Sequence, residues 1–297
     1  MRHIVYGYIF AWSLLAMPAW AATCTILADG ETGTIFFQDG PCEQRISPAS
    51  SFKIPLALMG FDAGILRDQH SPVWPYRPEY EAVMDSHKTD IDPTAWLRDS
   101  VVWYSQKLTT QLGEKDFARY VEMFDYGNKD VSGDLGLNNG LTHAWLLSSL
   151  SISAEEQIAF LHKVLNRRFP LKARAYEMTA SIIPTYAMAD GWIAHGKSGS
   201  GWQRGRDGRI DLERKQGWFV GWATKGTRTV LFTRLILDEA KIESYGGVRA
   251  RDSLLQDFPG LVLKNKSIPS PERAWIKPKS YPQGLTRPSG GPAKAGR

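Results

Sequence analysis

The stretch Pro48-Ala49-Ser50-Ser51-Phe52-Lys53 carries the pattern from which the fold and the chemistry of this chain are predicted. A helix is expected to begin near Ser50 and to continue through FKIPLALMGFDAGIL, with Pro55 in its first turns, where proline is tolerated. On that helix Ser50 and Lys53 lie one turn apart on the same face. Burial disfavours the charged ammonium, and a neutral Lys53 amine is able to take the proton of the Ser50 hydroxyl. The alternative for so short a pattern is a surface lysine on a helix.

Two further motifs carry residue types that suit the same chemistry. Pro93-Thr94 is predicted to open a helix, AWLRDSVVWYSQKLTTQL, and Ser100-Val101-Val102 lies inside it, where a serine hydroxyl would relay protons. Lys197-Ser198-Gly199 lies at a predicted strand end and offers a cation and a hydroxyl to a substrate carboxylate. In this order and at these spacings, the three motifs resemble those of the serine β-lactamases and penicillin-binding proteins.

One branch of that superfamily is matched over most of the chain, from about Cys24 to Pro259. The sequence resembles the class D (oxacillinase-type) β-lactamases, in which the second motif is Ser-x-Val, whereas the transpeptidases usually carry Ser-x-Asn. The matching segments are Ser50-Ser51-Phe52-Lys53-Ile54-Pro55, Ser100-Val101-Val102, Tyr126-Gly127-Asn128, Trp145-Leu146, Ile152-Ser153-Ala154-Glu155-Glu156-Gln157-Ile158, Lys197-Ser198-Gly199 and Gly217-Trp218-Phe219-Val220-Gly221-Trp222.

The resemblance implies hydrolysis of the β-lactam amide through an acyl-enzyme on Ser50, with resistance to penicillin-type antibiotics as the result. It also implies a particular base, because the motif lysine of this family reacts with carbon dioxide to give an N-carboxylated lysine. By that resemblance the modified residue is Lys53, and carbon dioxide or bicarbonate is required. Trp145 would hold the modified group through its indole N–H, which only donates. Ser100 is the remaining catalytic candidate.

The resemblance also implies a set of substrate-binding residues. They are Val102, Lys197, Ser198, Gly199, Ser200 and Arg251. Val102 would supply an apolar wall, and the backbone N–H groups of Ser50 and Ser200 would form the oxyanion hole. A cation near the C-terminus usually helps to hold the substrate carboxylate. Arg251 fits the predicted helix register better, but Arg249 stays open.

The order of predicted elements indicates an α/β (α+β) fold. A hairpin comes first, then a largely helical block, then three apolar strands, GWIAHGKSG, QGWFVGWAT and RTVLFTRLIL, and a final helix over 248–258. We expect the first and last strands to share a central antiparallel sheet flanked by helices, with the helical block inserted as a second lobe. A cleft between two lobes is a natural place for a catalytic site.

The two ends of the chain differ in composition from the rest. Residues 1–21 have the charge, apolar run and Ala19-Trp20-Ala21 cleavage pattern of a signal peptide, which predicts a periplasmic or secreted protein; an uncleaved anchor is the alternative. Residues 22–263 form the predicted catalytic domain, and 264–297 a basic, disordered tail. Cys24 and Cys42 lie at the open ends of the hairpin, which favours a disulfide over two free thiols.

Charge and motif content argue against several other functions. The net charge is +5, but residues 264–297 hold eight Lys/Arg and one Glu, so the first 263 residues sum to −2 and give no basic face for nucleic acid. The six histidines form no zinc motif, so no metal is expected, and His195 is interpreted as a strand-end surface residue. The stretch 191–198 matches a phosphate-loop pattern, but its residues are typical of a strand. A penicillin sensor and a cell-wall carboxypeptidase stay open, as does the choice between monomer and homodimer.

Overall fold

The computed structural model describes residues 21–205 and 207–265. The predicted signal peptide lies outside them except for Ala21, as does the tail beyond residue 265. The strands of the described chain are β1 (Ala22–Asp29), β2 (Ile35–Asp39), β3 (Thr185–Ala187), β4 (Ile193–Arg204), β5 (Ile210–Lys225) and β6 (Arg228–Leu237). The helices there are α1 (Lys53–Asp62), α2 (Pro93–Asp99), α3 (Val102–Leu112), α4 (Glu114–Met123), α5 (Gly140–His143), α6 (Ala154–Leu165), α7 (Ala173–Ile182) and α8 (Gly246–Lys264).

The strands form one antiparallel sheet in the order β2-β1-β6-β5-β4-β3. The first strand pairs with the last along its whole length, from Ala22 opposite Leu237 to Asp29 opposite Val230. The expectation that the two ends of the catalytic domain share a sheet is therefore confirmed, and so is the predicted fold class. Helices α1 to α7 all lie in sequence between β2 and β3, as expected for an inserted helical block.

The hairpin of β1 and β2 is closed by a disulfide. Cys24 and Cys42 are both buried, their Cα atoms are 5.2 Å apart, and their sulfurs are bonded, which confirms the favoured pairing. The turn between the two strands is fixed by the Asp29 carboxylate, which accepts hydrogen bonds from the backbone N–H groups of Glu31 and Thr32.

Two apolar cores cover the two faces of the sheet. The larger core joins one face to the helical block and centres on aromatic side chains such as Phe52, Trp145 and Tyr126. The smaller core places α8 against the other face through Leu254 and Phe258. Helix α6 begins with a capping box, in which Ser153 and Glu156 cap each other's backbone N–H. No helix within residues 21–205 and 207–265 is long and apolar enough to cross a membrane.

Three predicted helices differ from the structure, the first only in that α1 ends at Asp62 and not at Leu66. The predicted single helix around Ser100 is broken there, because Ser100 has a φ of +63° and ends α2, with the Val101 N–H bonded back to the carbonyl of Trp96. The sequence carries no glycine or proline at this break, and the apolar periodicity continues through it. The last helix runs to Lys264 instead of residue 258, because Pro259 is accommodated inside α8.

Removal of the disulfide is expected to lower stability without removing the sheet, because β1 keeps its full pairing with β6. The double variant Cys24→Ser/Cys42→Ser should lose about 2–4 kcal/mol of unfolding free energy, measured by urea denaturation. Unreduced wild-type protein should be about 2 Da lighter than reduced protein in intact-mass spectrometry, since one bridge removes two hydrogens. Two alkylated thiols in unreduced protein would contradict the pairing.

Candidate active site

The predicted pair of Ser50 and Lys53 is brought together at the entrance to α1. A 3₁₀ turn, Ala49–Phe52, leads directly into the helix, and Lys53 Nζ lies 3.0 Å from Ser50 Oγ. The Lys53 side chain is completely buried. Burial, and secondarily the charge of Lys197, lowers the pKa of Lys53 well below its usual value of 10.5. The structure therefore places a lysine that favours the neutral amine beside the serine hydroxyl, and not on the surface.

The indole of Trp145 is the second element of the site. Its ring stacks on Phe52, the residue before Lys53, with centroids 5.6 Å apart and an interplanar angle of 24°. The ring is fully buried, yet its Nε1–H has no hydrogen-bond acceptor among the described residues. A buried donor without an acceptor is costly. The site therefore has a buried donor beside the Ser-x-x-Lys turn for which the described residues supply no acceptor.

Ser100 and Lys197 form a second hydrogen-bonded pair. Lys197 Nζ donates to Ser100 Oγ and to the backbone carbonyl of Ser198, both at 3.0 Å. Lys197 is buried, and burial followed by the charge of Arg251 lowers its pKa to about 7. Lys197 lies in the middle of β4, opposite Val220, and not at a strand end as expected. Near neutral pH it is therefore poised to give or take a proton at the Ser100 hydroxyl.

Gly199 explains how β4 reaches the serine turn. A Cβ atom on Gly199 would lie 2.7 Å from the carbonyl oxygen of Pro48 and 2.9 Å from the backbone nitrogen of Ser51. Only glycine allows this approach. Ser200 follows on the strand and is fixed by α8, since its Oγ accepts from the backbone N–H of Gly247 at 2.9 Å. The two segments expected to supply the oxyanion hole are thus in direct contact.

The two candidate cations on α8 have different partners. Arg249 is engaged in a bidentate ion pair with Asp238, whose side chain is fully buried. Among the described residues, Arg251 pairs with the exposed carboxylate of Asp252 and lies over the ring of Tyr186, 5.4 Å from its centroid. The charge of Arg251 also helps to lower the pKa of Lys197. Arg251 is the better candidate for a substrate carboxylate.

The structure also bears on smaller interpretations of the sequence. Val102 is half-buried at the first turn of α3, while Val101 beside it is fully buried. His195 is the third residue of β4 and is half-buried, with its ring stacked on that of Trp222 at a centroid distance of 5.4 Å. The stretch that matches a phosphate-loop pattern is strand from Ile193 onward, as its residues indicated. Among the described residues no group of His, Cys, Asp and Glu is placed to hold a metal ion.

Two residues near the site had no role predicted from the sequence. Tyr126 is a core residue, with its ring 5.1 Å from Phe52 and its hydroxyl within 3.4 Å of Gln157 Oε1. Ser47 was missed altogether. It bonds the backbone on both sides of Leu146, and no motif of the sequence distinguishes it from an ordinary loop serine.

Comparisons with known proteins agree with this geometry. Residues 22–258 match the family model described as penicillin binding protein transpeptidase domain. The chain is 50% identical to β-lactamase OXA-9 of Klebsiella pneumoniae, over 80% of this chain and 88% of the relative. It is 38% identical to β-lactamase OXA-1 of Escherichia coli, over 71% and 74% respectively. Among solved structures, the class D β-lactamase OXA-427 has 40% sequence identity to this chain. The match covers 82% of this chain and 99% of the OXA-427 chain, with a TM-score of 0.77.

The contact at Gly199 gives a test of the site geometry. Gly199→Ala should force the Ser50 turn and β4 apart, lowering the unfolding free energy by about 1–3 kcal/mol and slowing acylation of Ser50 by a covalent inhibitor. The control is Gly260→Ala, because a Cβ there meets no atom within 4 Å and the residue lies in α8. The labelling rate is followed by intact-mass spectrometry. Equal labelling rates in both variants would contradict the assigned approach of β4.

Proposed function

The chain belongs to the class D β-lactamases of the penicillin-binding-protein transpeptidase family, and from its site we propose that Ser50 is the acylated nucleophile and Lys53, N-carboxylated by carbon dioxide, is the general base. The enzyme is a serine β-lactamase, a hydrolase that opens the cyclic amide of β-lactam antibiotics and so gives resistance to them. What remains to be assigned is the part that each residue of the site plays.

The single observation that carries the proposed base is the unpaired indole N–H of Trp145. Lys53 is buried and its pKa is lowered, which favours the neutral amine that carbon dioxide requires. Trp145 stacks on the neighbouring Phe52 and offers a buried donor without an acceptor among the described residues. A carboxylate on Lys53 would supply that acceptor. The residues present therefore fit the modification, which supplies a carboxylate-like base next to Ser50.

The second lysine suits the protonation of the leaving nitrogen. Lys197 has a pKa of about 7 and donates to Ser100 Oγ at 3.0 Å. When the β-lactam C–N bond breaks, the Ser100 hydroxyl would pass its proton to the nitrogen and take another from Lys197. Ser100 is available for this because its left-handed backbone ends α2 and takes the residue out of helical geometry.

The remaining site residues are assigned to substrate binding. The backbone N–H groups of Ser50 and Ser200 would stabilise the oxyanion, since Gly199 brings their segments together. Arg251, with Lys197 and the Ser198 hydroxyl, would hold the carboxylate that β-lactams carry. Val102, at the first turn of α3, would contribute an apolar wall.

The ends of the chain complete the proposal. We assign residues 1–21 to a cleaved signal peptide, 22–263 to the catalytic domain and 264–297 to a basic tail, of which only Lys264 and Asn265 belong to the described residues. Export to the periplasm or the medium follows from the leader.

The substrate is a small β-lactam, no metal is required, and the active form is a monomer or a homodimer.

The base is tested by the dependence of turnover on pH and bicarbonate. The modification needs the free amine, so the rate should fall as pH decreases through the pKa of Lys53 and should be restored by added bicarbonate. Lys53→Ala should lose about a hundredfold or more in rate and should not respond to bicarbonate. Hydrolysis of a chromogenic cephalosporin reports the rate, and ¹³C NMR with labelled bicarbonate reports the carbamate. A wild type that turns over fast, ignores bicarbonate at every pH and shows no carbamate would require another base.

The role of Trp145 is tested by a substitution that removes its donor and keeps an aromatic ring. Trp145→Phe keeps a ring against Phe52, so the bicarbonate concentration for half-maximal rate should rise about tenfold or more, reflecting one lost hydrogen bond to a charged group. Trp96→Phe is the matched control, because Trp96 is also fully buried but donates to Ser105 within the helical block. The same bicarbonate requirement in both variants would remove Trp145 from the site.

A further inference from the structure

The hydroxyl of Ser47 joins two segments that are distant in sequence. Ser47 precedes Pro48 at the approach to the Ser50 turn and is half-buried. Its Oγ donates to the backbone carbonyl of Trp145 at 2.8 Å and accepts from the backbone N–H of Leu147 at 2.9 Å. The Ser47 side chain therefore fixes both the backbone carbonyl of Trp145 and the backbone N–H of Leu147.

The backbone of Ser47 is fixed in turn by the sheet. Its carbonyl oxygen accepts from Gln216 Nε2 at 2.9 Å and from Trp218 Nε1 at 3.0 Å. Both donors belong to β5, whose pairing with β4 and β6 makes it a central strand. Ser47 is thus a rigid link between the sheet and the segment that carries Trp145.

The segment that carries Trp145 requires such a link because its regular backbone hydrogen bonding ends there. The Leu146 N–H still bonds back to the carbonyl of His143, but Leu147 has a φ of +60°, and its N–H donates to Ser47 instead of to a backbone carbonyl. A left-handed conformation is unfavourable for leucine and persists only where surrounding contacts impose it. Its carbonyl is held as well, since it accepts from the guanidinium of Arg204.

We propose that Ser47 is a positioning residue for catalysis, which aims the indole N–H of Trp145 at the modified Lys53. The inference rests on the proposed carboxylated base. The Trp145 ring is held by stacking on Phe52 and by an edge contact with Phe117, and such contacts tolerate small shifts of the ring, whereas a hydrogen bond weakens steeply with distance and angle. Through Ser47, the backbone of Trp145 is fixed to the same segment that leads into Ser50 and Lys53.

The test compares Ser47→Ala with Ser149→Ala. Ser149 is a matched control, because its Oγ also accepts from a backbone N–H, that of Gly133, and donates to a backbone carbonyl, that of Asp130. In Ser47→Ala the bicarbonate concentration for half-maximal turnover should rise about three- to tenfold. Saturating bicarbonate should restore the wild-type rate, and the ¹³C carbamate signal should follow the same titration. Ser149→Ala should keep the wild-type bicarbonate requirement, however much thermal stability it loses.

A double-mutant cycle decides whether Ser47 acts through the indole. If it does, Ser47→Ala added to Trp145→Phe should raise the bicarbonate requirement no further, whereas independent effects would multiply. Ser47→Cys provides a second variant of nearly the same size with a poor hydrogen-bonding group, and it should behave like Ser47→Ala. The inference would be overturned by a wild-type bicarbonate requirement in Ser47→Ala or Ser47→Cys. It would also be overturned if the effects in the cycle multiply, or if bicarbonate does not repair the loss of rate. Failure of the base itself would be visible in the wild type alone, as turnover indifferent to bicarbonate.

Discussion

The burial of one lysine amine beside one serine hydroxyl is the constraint on which the rest of the site depends. Lys53 is held without solvent exposure 3.0 Å from Ser50 because the Ser-x-x-Lys turn leads straight into α1, the helix around which the larger core is packed. A buried ammonium without a carboxylate partner is unfavourable, so the folded chain favours the neutral amine. The reactivity of the site is thus a consequence of packing and is supported by the same apolar residues that stabilise the fold.

The second buried lysine, Lys197, is proposed to have a different role from Lys53. Lys197 enters from β4, donates to Ser100 and has its pKa lowered to about 7 by burial and by the charge of Arg251, whereas burial and the charge of Lys197 lower the pKa of Lys53 well below its usual value. Burial and a neighbouring cation both disfavour the ammonium form of a lysine. The two lysines differ in their partners, since Lys53 lies beside Ser50 and Lys197 donates to Ser100, and this difference suits the proposed roles of a base and of a proton source for the leaving group.

Backbone strain also occurs at the edges of the same cleft. Three residues other than glycine have positive φ at its edges: Ala49 directly before the nucleophile, Ser100 at the second motif, and Leu147 after the indole. Each conformation costs free energy and persists because neighbouring elements impose it. Together with the Trp145 N–H, which has no acceptor among the described residues, these positions are local costs at the proposed site, as expected where a chain gives up stability for function.

Local pattern in the sequence was enough to predict much of this architecture. The spacing of Ser50 and Lys53, the capping box of Ser153 and Glu156, and the apolar strands near the C-terminus depend on periodicities of a few residues, which a chain displays whatever it packs against. The resemblance of its motifs to class D β-lactamases added the reaction. Tertiary structure alone decided the break at Ser100, the pairing of Lys197 with Ser100, the engagement of Arg249 by Asp238 and the link through Ser47. Each of these depends on a contact between residues far apart in sequence, or on a conformation that such contacts impose, and no local pattern encodes which distant groups will meet.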